Sequence, residues 1–525
     1  MTAEYKSKIK RRVLIIHPFL IAVFPILSLY YHNIAEVGLS SVLLPLGVVF
    51  IVTPISLLVS NLVFRNWQKS AIFTTLLWLM TFSHGHLHNL IASWFGNGYF
   101  SFGPATLGID DFLFGTWLVL AVTGIYVLLR VQKNMEKFTM FINITSLFLV
   151  IPIIAGVVPR EIEKFRTVLP DFTVGPTKED PGGQDEKPDI YYIIPDRYAA
   201  NSTLKDFYGY DNSYFTDFLK EKGFYVARDS VSNYPRTHLS LASSLNMMHL
   251  ESVGTFREMI QNNALGRFLK GNGYRYLNVG SWYGLTSRNA LADINFDAGG
   301  ELNLGLDEFS LNLLENTALL PIMKKLSPGL NSYRSPVQQR NYAFYQFSRL
   351  KEISKTQSSP KFVFAHVLLP HDPYSFSPDC GEISLSEKEV ENYLSQLSCT
   401  NRLLMEAVED ILENSTRPPI IIIQADEGPY EIKYSYLPNS GYLEVDPRAL
   451  REHAQIFNSY YLPGVNPDDF LYPSITPVNS FRLILNIYFG QKLDLLPDRS
   501  YIFREQGELY RLPKAFIDVT ELLGR

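Results

Sequence analysis

The chain has 525 residues, 46% of them hydrophobic, and sets 52 acidic against 47 basic side chains for a formal charge of -5. That balance, with no basic patch interleaved with aromatics, argues against a nucleic-acid partner. The length allows more than one domain, and the average hides a split: long apolar runs fill the chain to about Val158, and a soluble, mixed composition follows.

Five runs approach the ~20 apolar residues needed to cross a bilayer. They lie at roughly 13–31, 41–63, 70–83, 112–130 and 138–158. The basic start KSKIKRR, the pair Arg65 and Lys69, and the trio Arg130, Lys133 and Lys137 alternate with loops 32–40 and 84–111, which hold no Lys or Arg. This asymmetry places the N-terminus in the cytoplasm, and an odd number of crossings puts everything after Val158 outside it. A cleaved signal peptide is the competing reading of the start, but no small-residue cleavage site is present and four more spans follow. In SHGHLH, His84, His86 and His88 cluster beyond the third span; metal or lipid-phosphate binding and interfacial polar packing both fit them.

The Pro-, Gly- and charge-rich stretch 159–188 reads as a linker. From 189 to 525 strands and helices alternate. DIYYIIPD (189–196) is a strand, a helix near 213–222 precedes FYVA, and a helix near 257–271 precedes the strand in YRYLNVGS. A helix of about 336–356 leads into KFVFAHVLLP, and one of about 385–414 leads into IIIIQADEGPY. Such alternation predicts an α/β domain with a mostly parallel sheet and helices on both faces. Cys380 and Cys399, the only cysteines, fall in this exported part; a disulfide and two buried thiols are both open.

The strand ends carry the chemistry. Asp196 closes one strand, Asp426 and Glu427 close another, and His366 and His371 lie at and just beyond a third. Ligands of open α/β sheets bind past the carboxyl ends of the strands. Adjacent carboxylates at the end of an apolar strand repel each other unless something cationic lies between them. In SNYPRTHLSLASSLNMMHL, Arg236 and Thr237 start a helix, where the macrodipole favours an alkoxide or bound anion; a simple capping role for Thr237 is the alternative. His453 is a candidate further ligand, and Asn479 and Arg482 at the start of another helix either face the site or cap that helix.

Taken together these segments resemble the membrane-anchored, sulfatase-like branch of the alkaline phosphatase superfamily, which includes lipoteichoic acid synthases and lipid A phosphoethanolamine transferases. The resemblance implies an alkaline-phosphatase-like fold with one divalent cation held by Asp196, Thr237, Asp426 and the residue after it. Thr237 would be the nucleophile, and His371 would contact the transferred phosphate group; by their own chemistry His366, Arg236 and Arg197 are further candidate substrate contacts. Two positions depart from the pattern. Arg197 follows the first Asp where Gly is usual, and Glu427 stands where His is expected. A carboxylate is a harder ligand than imidazole and shifts preference towards Mn²⁺ or Mg²⁺, with Zn²⁺ still a candidate. No Cys- or Ser-x-Pro-x-Arg motif is present, which argues against a formylglycine-type sulfatase.

Three functions compete. The first is a multi-pass membrane transferase moving a phosphorus-containing group from a membrane lipid donor to a surface glycan or lipid acceptor. The second is a phosphate or sulfate ester hydrolase using the same site. The third is a metal-free scaffold of the cell envelope, a pseudoenzyme.

Overall fold

The computed structural model describes residues 13–96, 100–102, 105–166, 187–250, 256–297, 306–326, 335–429, 447–503 and 516–524. The basic start at 6–12 and linker residues 167–186 lie outside the described residues. The chain divides into two units: residues 1–163 with 308–330, and residues 164–307 with 331–525.

The first unit contains helices at all five predicted places: α1 (His17–His32), α2 (Ser40–Phe64), α3 (Trp67–Phe95), α4 (Ile109–Arg130) and α5 (Glu136–Arg166). Three of them are long and apolar enough to cross a membrane: Ser40–Phe64, Ile109–Arg130 and Glu136–Ile162. Large apolar side chains such as Leu43, Phe50, Leu62, Leu118 and Phe148 stay exposed on them, as expected of surfaces that face lipid. Helix α5 also absorbs residues 159–166, which the sequence reading gave to the linker. The expected boundaries assign 308–330 to the exported domain, whereas the helices Glu308–Glu315 and Leu319–Leu326 belong to this first unit. Phe309 meets Tyr30 edge to face, and the Ala318 N–H donates to Thr81 O at 3.0 Å. Gly85 permits that approach, since a Cβ there would stand 2.6 Å from the Asn316 Cα.

The second unit is built on a seven-stranded sheet: β1 (Ile190–Pro195), β2 (Tyr225–Val226), β3 (Arg275–Val279), β4 (Ile294–Phe296), β5 (Lys361–Val367), β6 (Ile420–Gln424) and β7 (Asn458–Tyr461). The spatial order is β2-β7-β6-β1-β5-β3-β4. Strands β6, β1, β5, β3 and β4 run parallel, and β7 pairs antiparallel with β6 and β2. Strands β1, β5 and β6 are buried along their whole length, which explains their unbroken apolar sequences. Helices α6 (Thr237–Asn246), α7 (Pro336–Thr356), α8 (Glu389–Asn414) and α9 (Pro477–Phe489) complete the elements used below.

At the amino ends of the central strands, the Lys361 Nζ and Asp189 Oδ2 pair at 2.6 Å with both side chains buried. Cys380 and Cys399 are joined in a disulfide, which decides between the two readings of that pair.

Candidate active site

Because β1, β5 and β6 are neighbours and parallel, their carboxyl ends open on one edge. Ile194 of β1 stands opposite His366 of β5, and Ile190 to Ile193 stand opposite Ile420 to Ile423 of β6. The residues just beyond, Asp196 and Asp426, therefore meet His366. One ligand-type atom from each of the three lies within 4.8 Å of the others, and all three residues are buried. His366 Nε2 is 3.5 Å from Asp196 Oδ2. Thr237, the first residue of α6, lies beside the Asp426 carboxylate and favours its ionised form, so the nucleophile candidate adjoins the cluster.

Four buried atoms at this edge have no hydrogen-bond partner: Asp196 Oδ1, Asp426 Oδ2, Glu427 Oε2 and His366 Nε2. Buried polar atoms are almost always paired, so orphans converging from separate strands mark a place for a cation. The electrostatics agree. Burial raises the Asp196 carboxyl, but the charge of His371, the His366 ring beside it and the charge of Arg197 outweigh it and hold it down to about 2. Burial, followed by the charges of Asp196 and Glu427, drives the Asp426 carboxyl well above its usual range. Two carboxylates cannot both ionise here without a neutralising cation. The donor set of Asp196, Asp426, His366 and Thr237 thus fits one divalent ion.

Glu427 is turned elsewhere. Its Oε1 accepts from Arg197 Nε at 3.2 Å, and its Oε2 lies 3.6 Å from His453 Nε2. Arg197 is buried, in the left-handed region at φ 59°, and its Nη1 also donates to Asp372 Oδ1 at 2.9 Å. Its guanidinium therefore neutralises carboxylates of the protein, a use that differs from the expected substrate contact. Its backbone N–H serves the site directly, donating to Asp426 Oδ1 at 3.2 Å. His453 Nδ1 donates to Gly428 O at 2.8 Å, and burial lowers its imidazole pKa. Gly428 admits this crossing because a Cβ there would lie 2.6 Å from Glu452 O.

His371, on the loop after β5, is partly exposed, and Gln396 of α8 fixes its carbonyl at 2.7 Å. Arg236 is half-buried at the cap of α6, and its charge reaches His453. Asn479 and Arg482 do not join the site. They hold the segment 494–498 through Leu496 O and Asp494 O, and α9 has no side-chain cap at its N-cap Thr476, so neither reading of the pair holds. His84 and His88 both bond Asp110 of α4, and Trp117 Nε1 donates to His84 Nδ1 at 3.1 Å, so that pair packs α3 against α4.

Sequence reasoning missed three supports. Tyr393 of α8 donates to Arg197 O at 2.9 Å and accepts from Ala199 N at 3.1 Å, holding the turn after β1. Thr286 bonds His366 Nδ1 at 2.9 Å. Gln424 joins Tyr192, Asn458, Tyr460 and Ser480 in a buried network beneath the cluster. Each contact spans dozens to hundreds of residues, so no local pattern announces it.

A mostly parallel sheet with carboxylates, a histidine and a helix-terminal threonine at its carboxyl edge defines a member of the alkaline phosphatase superfamily. The sequence pattern of the Sulfatase family matches residues 188–455, about half of the chain, and the chain belongs to that family. Among solved structures it is similar to the C-terminal periplasmic domain of EcEptC from Escherichia coli, at 13% identity and TM-score 0.45 over 67% of this chain and 96% of that one. A protein in the alkaline phosphatase superfamily from Vibrio parahaemolyticus shows 12% identity and TM-score 0.38 over 60% and 72%. The putative sulfatase yidJ from Bacteroides fragilis shows 13% and 0.36 over 62% and 83%. No curated protein matches the chain.

Proposed function

We propose that this protein is a membrane-anchored transferase that moves a phosphorus-containing group from a membrane lipid to a surface glycan or lipid, using Thr237 as nucleophile. The observation that carries the reading is Thr237 at the N-terminus of α6, beside the Asp426 carboxylate of the buried Asp196–His366–Asp426 cluster. Asp196, Asp426, His366 and Thr237 would hold a divalent cation, which when bound lowers the pKa of a coordinated hydroxyl and neutralises charge on a phosphoryl oxygen.

The side chains have separate tasks. Asp426, the carboxylate beside Thr237, takes the proton of its hydroxyl. Thr237 Oγ1 attacks phosphorus, the Oγ1–P bond forms, and the bond from phosphorus to the lipid oxygen breaks. His371, at the exposed rim, gives the departing oxygen its proton, and Arg236 pairs with the anionic group. An acceptor hydroxyl then gives its proton to His371 and displaces Thr237, which regains its proton from Asp426.

The membrane unit supports the lipid donor. It carries a half-open apolar cavity of about 430 Å³ lined by Phe24, Leu29, Trp78, Phe82 and Leu313, with His32 and His86 among its few polar walls. The expected topology has the N-terminus cytoplasmic and the catalytic unit outside the cytoplasm, where lipid head groups and surface glycans meet.

The test uses full-length protein reconstituted in vesicles of phosphatidylethanolamine and phosphatidylglycerol. Diacylglycerol release and a head-group adduct on the Thr237 peptide are expected from wild type and absent from Thr237→Ala. Release that rises with added glycan acceptor marks transfer, and release indifferent to acceptor marks hydrolysis. No release from wild type, with Thr237→Ala unchanged in every respect, would leave the scaffold.

A further inference from the structure

The geometry points to His366 as the nitrogen ligand of this metal site, with Glu427 outside the coordination sphere as the partner of Arg197. This rests on the metal-bound reading above. Position in the sequence gave the role to Glu427, the residue after Asp426, but the side chains are arranged otherwise.

The imidazole of His366 is fully buried on the central strand β5. Its Nδ1 lies 2.9 Å from Thr286 Oγ1, which is 2.8 Å from Ser281 Oγ, and Tyr283 N donates to Ser281 Oγ at 3.1 Å. The Thr286 hydroxyl also faces the Tyr283 carbonyl at 3.5 Å. A neutral imidazole that donates from Nδ1–H to Thr286 Oγ1 keeps its lone pair on Nε2. Gln346 Nε2 fixes the strand by donating to His366 O at 2.7 Å.

The unpartnered Nε2 lone pair thus faces two carboxylates, each with an unpartnered oxygen of its own. Three electron-rich atoms aimed at one another repel unless a cation sits among them. A ring nitrogen whose other N–H is held by an outer hydrogen bond is the usual build of a metal-ligating histidine.

Glu427 differs in having its own cation. Arg197 supplies a full positive charge to Oε1 at 3.2 Å, while Oε2, without a hydrogen-bond partner, lies 3.6 Å from His453 Nε2. Among the described residues the three-ligand group contains His366 and omits Glu427. One imidazole with two carboxylates and a hydroxyl suits Mn²⁺ or Zn²⁺ better than Mg²⁺, which moves the expected preference back towards Zn²⁺.

The experiment uses full-length protein in detergent, stripped with chelator and reloaded with Mn²⁺ alone. Electron spin-echo envelope modulation reads nitrogen bound directly to Mn²⁺, and equilibrium dialysis reads affinity. Wild type should bind a single ion and show nitrogen modulation. His366→Gln should lose the modulation and bind at least about tenfold more weakly. Thr286→Val keeps the imidazole in place and should weaken binding by about tenfold, in the range of outer hydrogen bonds to metal-bound histidines. Glu427→Gln should keep both the modulation and the affinity. Modulation that survives in His366→Gln overturns the assignment, as does loss of the ion from Glu427→Gln while His366→Gln retains it. Wild type that takes up no Mn²⁺ overturns the metal-bound reading itself.

Discussion

If Glu427 belongs to Arg197, then removing either must strand the other, and removing both must cost less than the two losses together. At 3.2 Å the attraction is about 5 kcal/mol for an effective dielectric near 20. Desolvation of both groups offsets most of that, so the intact pair is close to neutral. Arg197→Ala leaves the Glu427 carboxylate, 3% exposed, without its cation, a loss of about 3 kcal/mol. The exposed Asp372 adds at most about 1 kcal/mol to the Arg197 side. Alanine bears the same strain at φ 59°, so backbone strain cancels between the two proteins. Glu427→Gln removes the charge and keeps a side-chain oxygen, a loss of about 2 kcal/mol. The double variant should lose about 2 kcal/mol less than the sum of the singles, within the range measured for close charge pairs. Pulse proteolysis of full-length protein across a urea series, with chelator present, reads each stability. Losses that add to within about 0.5 kcal/mol would refute the coupling.

Three further outcomes are expected. Replacing both Cys380 and Cys399 by Ala, which are 19 residues apart, should lower stability by about 3 kcal/mol, the loop entropy of a closure this size, read as a urea midpoint that reductant reproduces in wild type. Gly85→Val places side-chain atoms where a Cβ alone meets the Asn316 backbone at 2.6 Å, so helices 308–326 should loosen by about 1–3 kcal/mol and trypsin should cut faster at Lys324 and Lys325. His249 donates to Pro497 O at 2.9 Å, and burial lowers its pKa from 6.5. Because the folded state disfavours the protonated ring, its contribution is whole above pH 6.5 and fades as pH falls from there towards the lower folded value, at up to about 1.4 kcal/mol per pH unit. His249→Phe should flatten the fall in the urea midpoint between pH 7.5 and 5; an unchanged fall would refute this.

Much of this arrangement was legible in the sequence because the strands that build it are buried on both faces. Ile190–Pro195, Lys361–Val367 and Ile420–Gln424 read as apolar runs, and any charged residue ending such a run points to the functional edge. Asp196 and Asp426 stand out in this way as metal ligands, and His366 as a substrate contact. The direction of a side chain beyond the strand end is not periodic, so Glu427 was read as a ligand although it turns to Arg197. Residues 308–326 were read as part of the exported domain because two short apolar helices look alike in a core and against membrane helices. The disulfide stayed open since spacing alone cannot show that two sulfurs meet.

The two departures from the family pattern, Arg197 in place of Gly and Glu427 in place of His, are a single feature. Either alone would be unfavourable: a buried guanidinium beside a cation site repels the ion, and a third buried carboxylate beside Asp196 and Asp426 adds to a repulsion that already drives Asp426 out of its usual range. Together they cancel at 3.2 Å, and the net charge facing the cluster is unchanged. What the exchange removes is an imidazole, and the orphan Nε2 of His366, on the neighbouring strand, lies where an imidazole ligand is needed. An imidazole therefore stands at the cluster although Glu427 occupies the position where the pattern expects one, and Thr237 keeps its place at the start of α6.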